Sequence, residues 1–218
     1  MQVVGMVGHA RHGKDSVAQF GAPYGYKRYA FADNVRRALY ALDPLVAITP
    51  RADEEYARLV PRASRVGLGL VIGLRSLVDT IGWDDAKSHV NVRQYLQRMG
   101  TEAVRDVVAY DAWIMALKKQ LDRERPDRAI VTDVRFPNER DAIKSWGGTI
   151  VRVVRLNEDG SQYVKPGLDL THPSEAFVDE LEVDVEIACR TIEELRARAE
   201  EFFELRAGAM EFFGSAAR

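Results

Sequence analysis

Apolar residues fall into five short runs separated by longer amphipathic stretches. Val3, Val4, Met6 and Val7 make the first, and Tyr26 to Phe31 the second. Ala129 to Val134 makes the third, Thr149 to Leu156 the fourth and Val183 to Ala188 the fifth. The third is continuous rather than alternating, as expected of a strand buried on both faces. Between the runs the apolar period lengthens to that of a helix. Val17, Ala18 and Phe20 begin one helical stretch. Ala32-Asp33-Asn34 caps another carrying Val35, Leu39 and Leu42, and Asp43-Pro44 stops it. Pro137 starts a helix that runs to Trp146 and ends at Gly147-Gly148, and a long helix follows Ile192.

Strands alternating with helices predict an α/β fold: a mostly parallel five-stranded sheet covered on both faces. The stretch at about 44–125 interrupts this alternation. Arg51 to Val60, Leu74 to Ile81, Trp83 to Lys87, Val92 to Val108 and Asp111 to Leu121 read as helices, so an inserted helical subdomain is expected there. A polar segment with Gly and Pro at about 157–175 reads as a lid or substrate loop. The whole chain, 1–218, is then one domain with an insertion.

Composition narrows this picture. Hydrophobic residues make up 46% of the 218, enough for a substantial core, and the net charge of −2 gives no support for a protein that coats nucleic acid. Cys189 is the only cysteine, which excludes an intramolecular disulfide and a cysteine zinc site and suits a reducing, cytoplasmic setting. The first apolar run is short and flows into a glycine loop, so no signal peptide is expected. Val66 to Leu77 is too short, and too interrupted by glycines and Arg75, to span a membrane.

Candidate chemistry begins after the first run, with Gly8-His9-Ala10-Arg11-His12-Gly13-Lys14-Asp15-Ser16. Strand, glycine loop, lysine and helix is the context of a phosphate-binding P-loop. Its backbone N–H groups cradle an anion, the new helix adds its positive end, and Lys14 supplies a point charge. Nucleotide phosphates are the expected ligand. The position after the lysine, normally a hydroxyl that binds Mg²⁺, is Asp15, with Ser16 next. Either could ligate the metal.

Asp133-Val134-Arg135-Phe136-Pro137-Asn138-Glu139 is the second signal. Asp133 ends an apolar strand, where P-loop proteins hold Mg²⁺ or its waters, and Arg135 stands at the same rim. Glu139 lies in the first turn of the following helix, where capping alone also favours it. Arg98, Glu102 and Arg105 form the third signal: on a continuous helix they share a face, either as a solvated ion-pair stripe or as a grip for a second anion. Asp111 and Trp113 follow, and Trp113 suits either a base stack or the core. Ser174-Glu175 is a helix-cap motif or faces substrate. His9, His12, His89 and His172 lack zinc-ligand spacing, and no nucleophile triad is visible.

Taken together, these segments resemble the deoxynucleoside monophosphate kinases of tailed phages. GHARHGKDS is similar to that family's GKD[ST] loop, Phe31-Ala32-Asp33 to its FAD segment, and LQRMGTEAVR to its LQxxGTExxR. Asp111-Ala112-Trp113, DVRFPNE and Ser174-Glu175 follow in the family's order. The resemblance implies a P-loop kinase three-layer sandwich that transfers the ATP γ-phosphate to a dNMP in the host cytoplasm. It implies catalytic roles for Lys14, Asp15 and Arg135, and Mg²⁺ on Ser16, Asp15 or Asp133. Asp33, Arg98, Glu102, Arg105, Trp113, Asp133, Arg135, Glu139, Ser174 and Glu175 become substrate residues. Arg152, Arg155 and Lys165 are candidates for a lid cation. Some relatives resemble kinases acting on 5-hydroxymethyluracil in DNA, which leaves nucleic acid as an alternative acceptor. A nucleotide-binding switch or ATPase is a third reading, for which the arginine segments are unnecessary. A homodimer is left open, since no stretch marks a dedicated interface.

Overall fold

The structure is a computed structural model that describes residues 1–48, 54–67, 69–167 and 173–215. In chain order its elements are β1 (Gln2–Val7), α1 (Lys14–Gly21), β2 (Tyr26–Tyr29), α2 (Phe31–Leu42), β3 (Leu45–Ile48) and α3 (Glu54–Leu59). Next come β4 (Ser64–Val66), β5 (Gly69–Gly73), α4 (Leu74–Ala86), α5 (Val90–Arg98) and α6 (Ala112–Glu124). The chain closes with β6 (Arg128–Val131), α7 (Pro137–Ser145), β7 (Thr149–Arg155), α8 (Pro173–Ala176), β8 (Val185–Cys189) and α9 (Ile192–Ser215). It divides into two compact units, one formed by Met1–Phe31 with Ile114 onward and the other by Ala32–Trp113.

The first unit is built on a five-stranded sheet in the order β2-β6-β1-β7-β8. All four pairings are parallel. Residues alternate between faces along each strand. Val4 and Met6 of β1, with Val151, Val153 and Ile187, share a buried cluster with Val17 and Ala18 of α1 and Leu195, Ala199 and Phe203 of α9. Full burial of Phe203 contributes roughly 1.5–3 kcal/mol. On the opposite face sits Gly5, where a Cβ would come within 3.0 Å of Ile150 and Val134 and 3.3 Å of Ile143 on α7. Helices therefore cover both faces, as the run pattern predicts. Strand β1 sits in the middle of the sheet and delivers the glycine loop at its carboxyl end, where open parallel sheets bind ligands.

The second unit corrects the expected helical insertion. It starts at 32 rather than about 44 and holds a three-stranded antiparallel sheet, β3-β5-β4, beside its helices. Leu45 to Ile48 is too short a run to announce itself, although its burial alternates as a strand's should. The glycine-rich run after Val66 hides β5 because it is apolar at nearly every position. The break expected at Gly82 is real: its φ of 79° and ψ of 166° interrupt α4. The helix expected at 51–60 is described from Glu54; its first residues lie outside the described ones. The continuous helix expected over 92–108 is broken by a π-helical turn at Met99–Ala103.

Candidate functional site

The glycine loop leaves β1 by a path that only glycine permits at two points. Gly8 has φ 150°, and a Cβ there would meet the Val153 carbonyl oxygen at 2.5 Å. Gly13 has φ 97° and would meet Leu195 Cδ2 at the same distance. Between them Arg11 also turns positive, at φ 68°. The loop is thus wound tightly against β7 and α9, and it hands over to α1 at Lys14.

Lys14 is buried, with its ammonium donating to the carbonyl oxygens of Gly8 and of His9 (2.8 Å). Its pKa is lowered from the ordinary 10.5 to about 8, chiefly by burial and then by the Arg135 charge, with Glu175, Asp15 and Asp133 acting the other way. These groups therefore lie within electrostatic reach of Lys14, although residues 14, 135 and 175 are far apart in sequence. Both loop histidines turn to protein partners. His9 Nδ1 contacts Glu175 Oε2 at 2.9 Å and Nε2 contacts Asp179 Oδ2 at 3.0 Å. His12 lies between the carbonyl oxygens of Val153 (3.2 Å) and Tyr163 (2.7 Å), and burial lowers its pKa. A neutral imidazole has one N–H, so it donates to one of these oxygens.

Glu175 bridges two partners. One carboxylate oxygen takes His9 and the other takes Arg135 Nη1. Arg135 is also held through its backbone, whose N–H donates to Glu139 Oε2 at 2.8 Å; the Phe136 N–H donates to the same oxygen at 3.2 Å. Glu139 is 2% exposed. The structure uses it as the cap of α7, which corrects the expectation of a substrate contact. Asp133 Oδ1 accepts the N–H of Phe31 at 2.8 Å, tying the chain after β6 to the chain after β2. The side chain of Ser174 and residue His172 lie outside the described residues.

The metal question narrows at α1. Asp15 is 74% exposed at its side chain and faces Arg28 Nε at 3.4 Å, whereas Ser16 is half-buried. Among the described residues no group of three His, Cys, Asp or Glu side chains could hold a metal. Mg²⁺ fits such a place when phosphates and water supply most of its ligands. Of the lid cations, Arg152 is committed to the carbonyls of Val178, Asp179 and Leu181. Arg155 lies over the Tyr163 ring at 4.4 Å, and Lys165 has no hydrogen-bond or ion-pair partner among the described residues. Cys189-Arg190-Thr191 forms an ordinary cap: Glu194 N–H donates to Thr191 Oγ1 (3.2 Å) and Arg190 N–H to Glu194 Oε2 (2.8 Å).

In the second unit the expected arginine stripe does not form. A π turn rotates less per residue than an α turn, so it breaks the i, i+4, i+7 register. Arg98 and Glu102 are exposed while Arg105 is buried, with its guanidinium 5.9 Å from the Tyr110 ring centre. Trp113 is core: it is 7% exposed and donates its indole N–H to the Gly100 carbonyl at 2.9 Å, which pins the π turn. This corrects its reading as a base stack. The described pocket of this unit has a volume of about 390 Å³ and is lined by Asp33, Arg36, Arg37, Tyr40 and Trp83. Asp33 fixes Arg36 at 3.3 Å, and Arg37 has no hydrogen-bond or ion-pair partner among the described residues. Asp33 was expected at a site; its neighbours were missed. Their helical spacing of +3, +4 and +7 from Asp33 marks one face of α2, a signal present in the sequence. Trp83 gives no such signal, because only the fold brings it there.

Comparison with known proteins gives the following matches. Residues 74–172 match the sequence model of a family described as Deoxynucleotide monophosphate kinase. A stretch of 89 residues is 30% identical to the deoxynucleoside-5'-monophosphate kinase of Escherichia phage T5, covering 41% of this chain and 35% of that protein. The match thus spans about a third of that relative's length. A solved dephospho-CoA kinase from Campylobacter jejuni aligns with a TM-score of 0.46 at 12% identity, over 96% of this chain and 99% of that one.

Proposed function

We propose that this protein transfers the γ-phosphate of ATP to a deoxynucleoside monophosphate, giving ADP and a dNDP. The observation that carries the reading is the run of contacts from Lys14 through His9 and Glu175 to Arg135 at a tightly wound glycine loop. Phosphoryl transfer asks the protein mainly for positioning and for charge opposite the migrating phosphoryl. The loop amides and Lys14 would hold the ATP phosphates. Ser16 and Asp133 would hold Mg²⁺ or its waters; Asp15, turned out to Arg28, is left out of that set. Bound Mg²⁺ supplies charge neutralisation across the phosphates.

The pocket of the second unit suits the acceptor. Its volume falls within the roughly 300–1,000 Å³ typical of small-molecule sites. Two guanidinium groups suit a phosphate, and Trp83 offers a face to a base. A phosphate monoester oxygen is already anionic, so no strong general base is required. The match to a family described by its deoxynucleotide monophosphate substrate supports the same class. The test is incubation with γ-labelled ATP, Mg²⁺ and each of dAMP, dGMP, dCMP and dTMP, and separately with DNA containing 5-hydroxymethyluracil. Labelled dNDP is expected. Label only in DNA would replace this reading with the DNA-kinase alternative, and label in neither would remove transfer altogether.

A further inference from the structure

We propose that Glu175 is a positioning residue that aims Arg135 at the phosphate site, with His9 as its buried anchor. The proposal rests on the phosphoryl-transfer reading above. Glu175 is 6% exposed and His9 2% exposed, so neither is solvated by bulk water. Both carboxylate oxygens are engaged, one by the His9 ring at 2.9 Å and one by the Arg135 guanidinium. The imidazole is held from its far side by Asp179 at 3.0 Å, and Asp179 accepts Gln162 Nε2 at 3.4 Å. A line of side chains thus runs from Arg135 through α8 and the glycine loop to the loop after β7.

Arg135 is fixed at both ends, its backbone by Glu139 and its guanidinium by Glu175. A guanidinium carries five N–H donors in a planar fork, so holding one edge sets where the others point. The same His9 whose ring anchors Glu175 offers its carbonyl to Lys14. The two cations of the site, which oppose each other, are therefore referenced to one residue of the loop. Glu175 is the anion that contacts the Arg135 guanidinium directly, so its charge offsets the repulsion between them before any phosphate arrives. Misaiming a charge by even an ångström costs phosphoryl transfer more than it costs ground-state binding.

The test is a double-mutant cycle on turnover. Glu175→Gln keeps the shape and one oxygen acceptor but removes the charge. It is expected to lower kcat about tenfold or more while leaving KM for ATP within about twofold. In an Arg135→Ala background the same change is expected to alter kcat by less than about twofold, because its target is gone. Asp179→Asn, at the more exposed end of the line, covers a failure of the buried variant to fold; it should lower kcat a few-fold, and only when Arg135 is present. Equal losses with and without Arg135, or an unchanged kcat, would overturn the proposal. A second readout is independent of transfer: hindered rotation should split the Arg135 Nη NMR signals in the nucleotide-free wild type, and Glu175→Gln should collapse them. If the wild type transfers nothing, the functional reading fails and this NMR comparison still decides the latch, with signals that stay split in the variant overturning it.

Discussion

The candidate sites of the two units hold their charged side chains in opposite ways. In the first, Lys14, His9, Glu139 and Glu175 are all 9% exposed or less, and each has named partners. In the second, Arg37, Arg98 and Glu102 lie at the surface, and the pocket carrying Arg36 and Arg37 is open to solvent. Buried charges are tolerated only when paired, and pairing fixes their geometry in advance. Exposed arginines cost little and can adapt to what arrives. Under the proposed function, the buried set would hold ATP in a fixed geometry and the open pocket would adapt to the acceptor.

The sharpest way to break this comparison is to remove the buried cation. Lys14→Ala is expected to reduce phosphoryl transfer about 10²–10³-fold or more, as loss of a central charge donor does, with the folded circular dichroism spectrum retained. Survival of activity would mean that the rigid unit does not hold the reacting phosphates. The next largest effect separates two tryptophans of the second unit. Trp83→Ala should raise KM for the acceptor about tenfold, the scale of one lost base stack, and leave KM for ATP unchanged. Trp113→Phe should leave the acceptor KM unchanged but cost about 1–3 kcal/mol of stability in denaturant melts, because the Gly100 carbonyl loses its donor.

Those two residues also show what the sequence could and could not reveal. The first unit was legible because its signals are local. The glycine loop lies within nine consecutive residues, and the strands around it are continuous apolar runs of a parallel sheet. Even there, Glu139 was ambiguous, since the same carboxylate at the first turn serves a cap or a ligand; its burial decides for the cap. The roles of His9 and Glu175 were not legible, because 166 residues separate the partners and no local pattern encodes the contact. In the second unit, β3 is a short isolated run and β5 is apolar at nearly every position, so neither shows in its sequence the alternation of a half-buried strand. The π turn moved Arg105 off the face that helical spacing gives it, and Trp113 was one hydrogen bond away from being either core or ligand stack.

The smallest expected effect is a pH dependence confined to the buried side. With its pKa at about 8 instead of 10.5, Lys14 begins to lose its charge just above neutrality. ATP affinity should therefore fall about fourfold between pH 7 and 8.5, measured by calorimetry, with proton uptake on binding above pH 8. Stability responds with the opposite sign. Between about pH 8 and 10.5 the unfolded chain keeps a proton that folded Lys14 has released, so this group's contribution to stability rises with pH across that window. The acceptor KM should follow neither trend, because no group lining the pocket of the second unit is involved.

The proposed transfer is tested most directly by the balance of products. With ATP, Mg²⁺ and the acceptor found active among the four dNMPs, one dNDP is expected for each ADP formed, with no inorganic phosphate beyond background. ADP and inorganic phosphate in equal amounts, with no dNDP from any acceptor, would contradict it and leave a glycine-loop ATPase in its place.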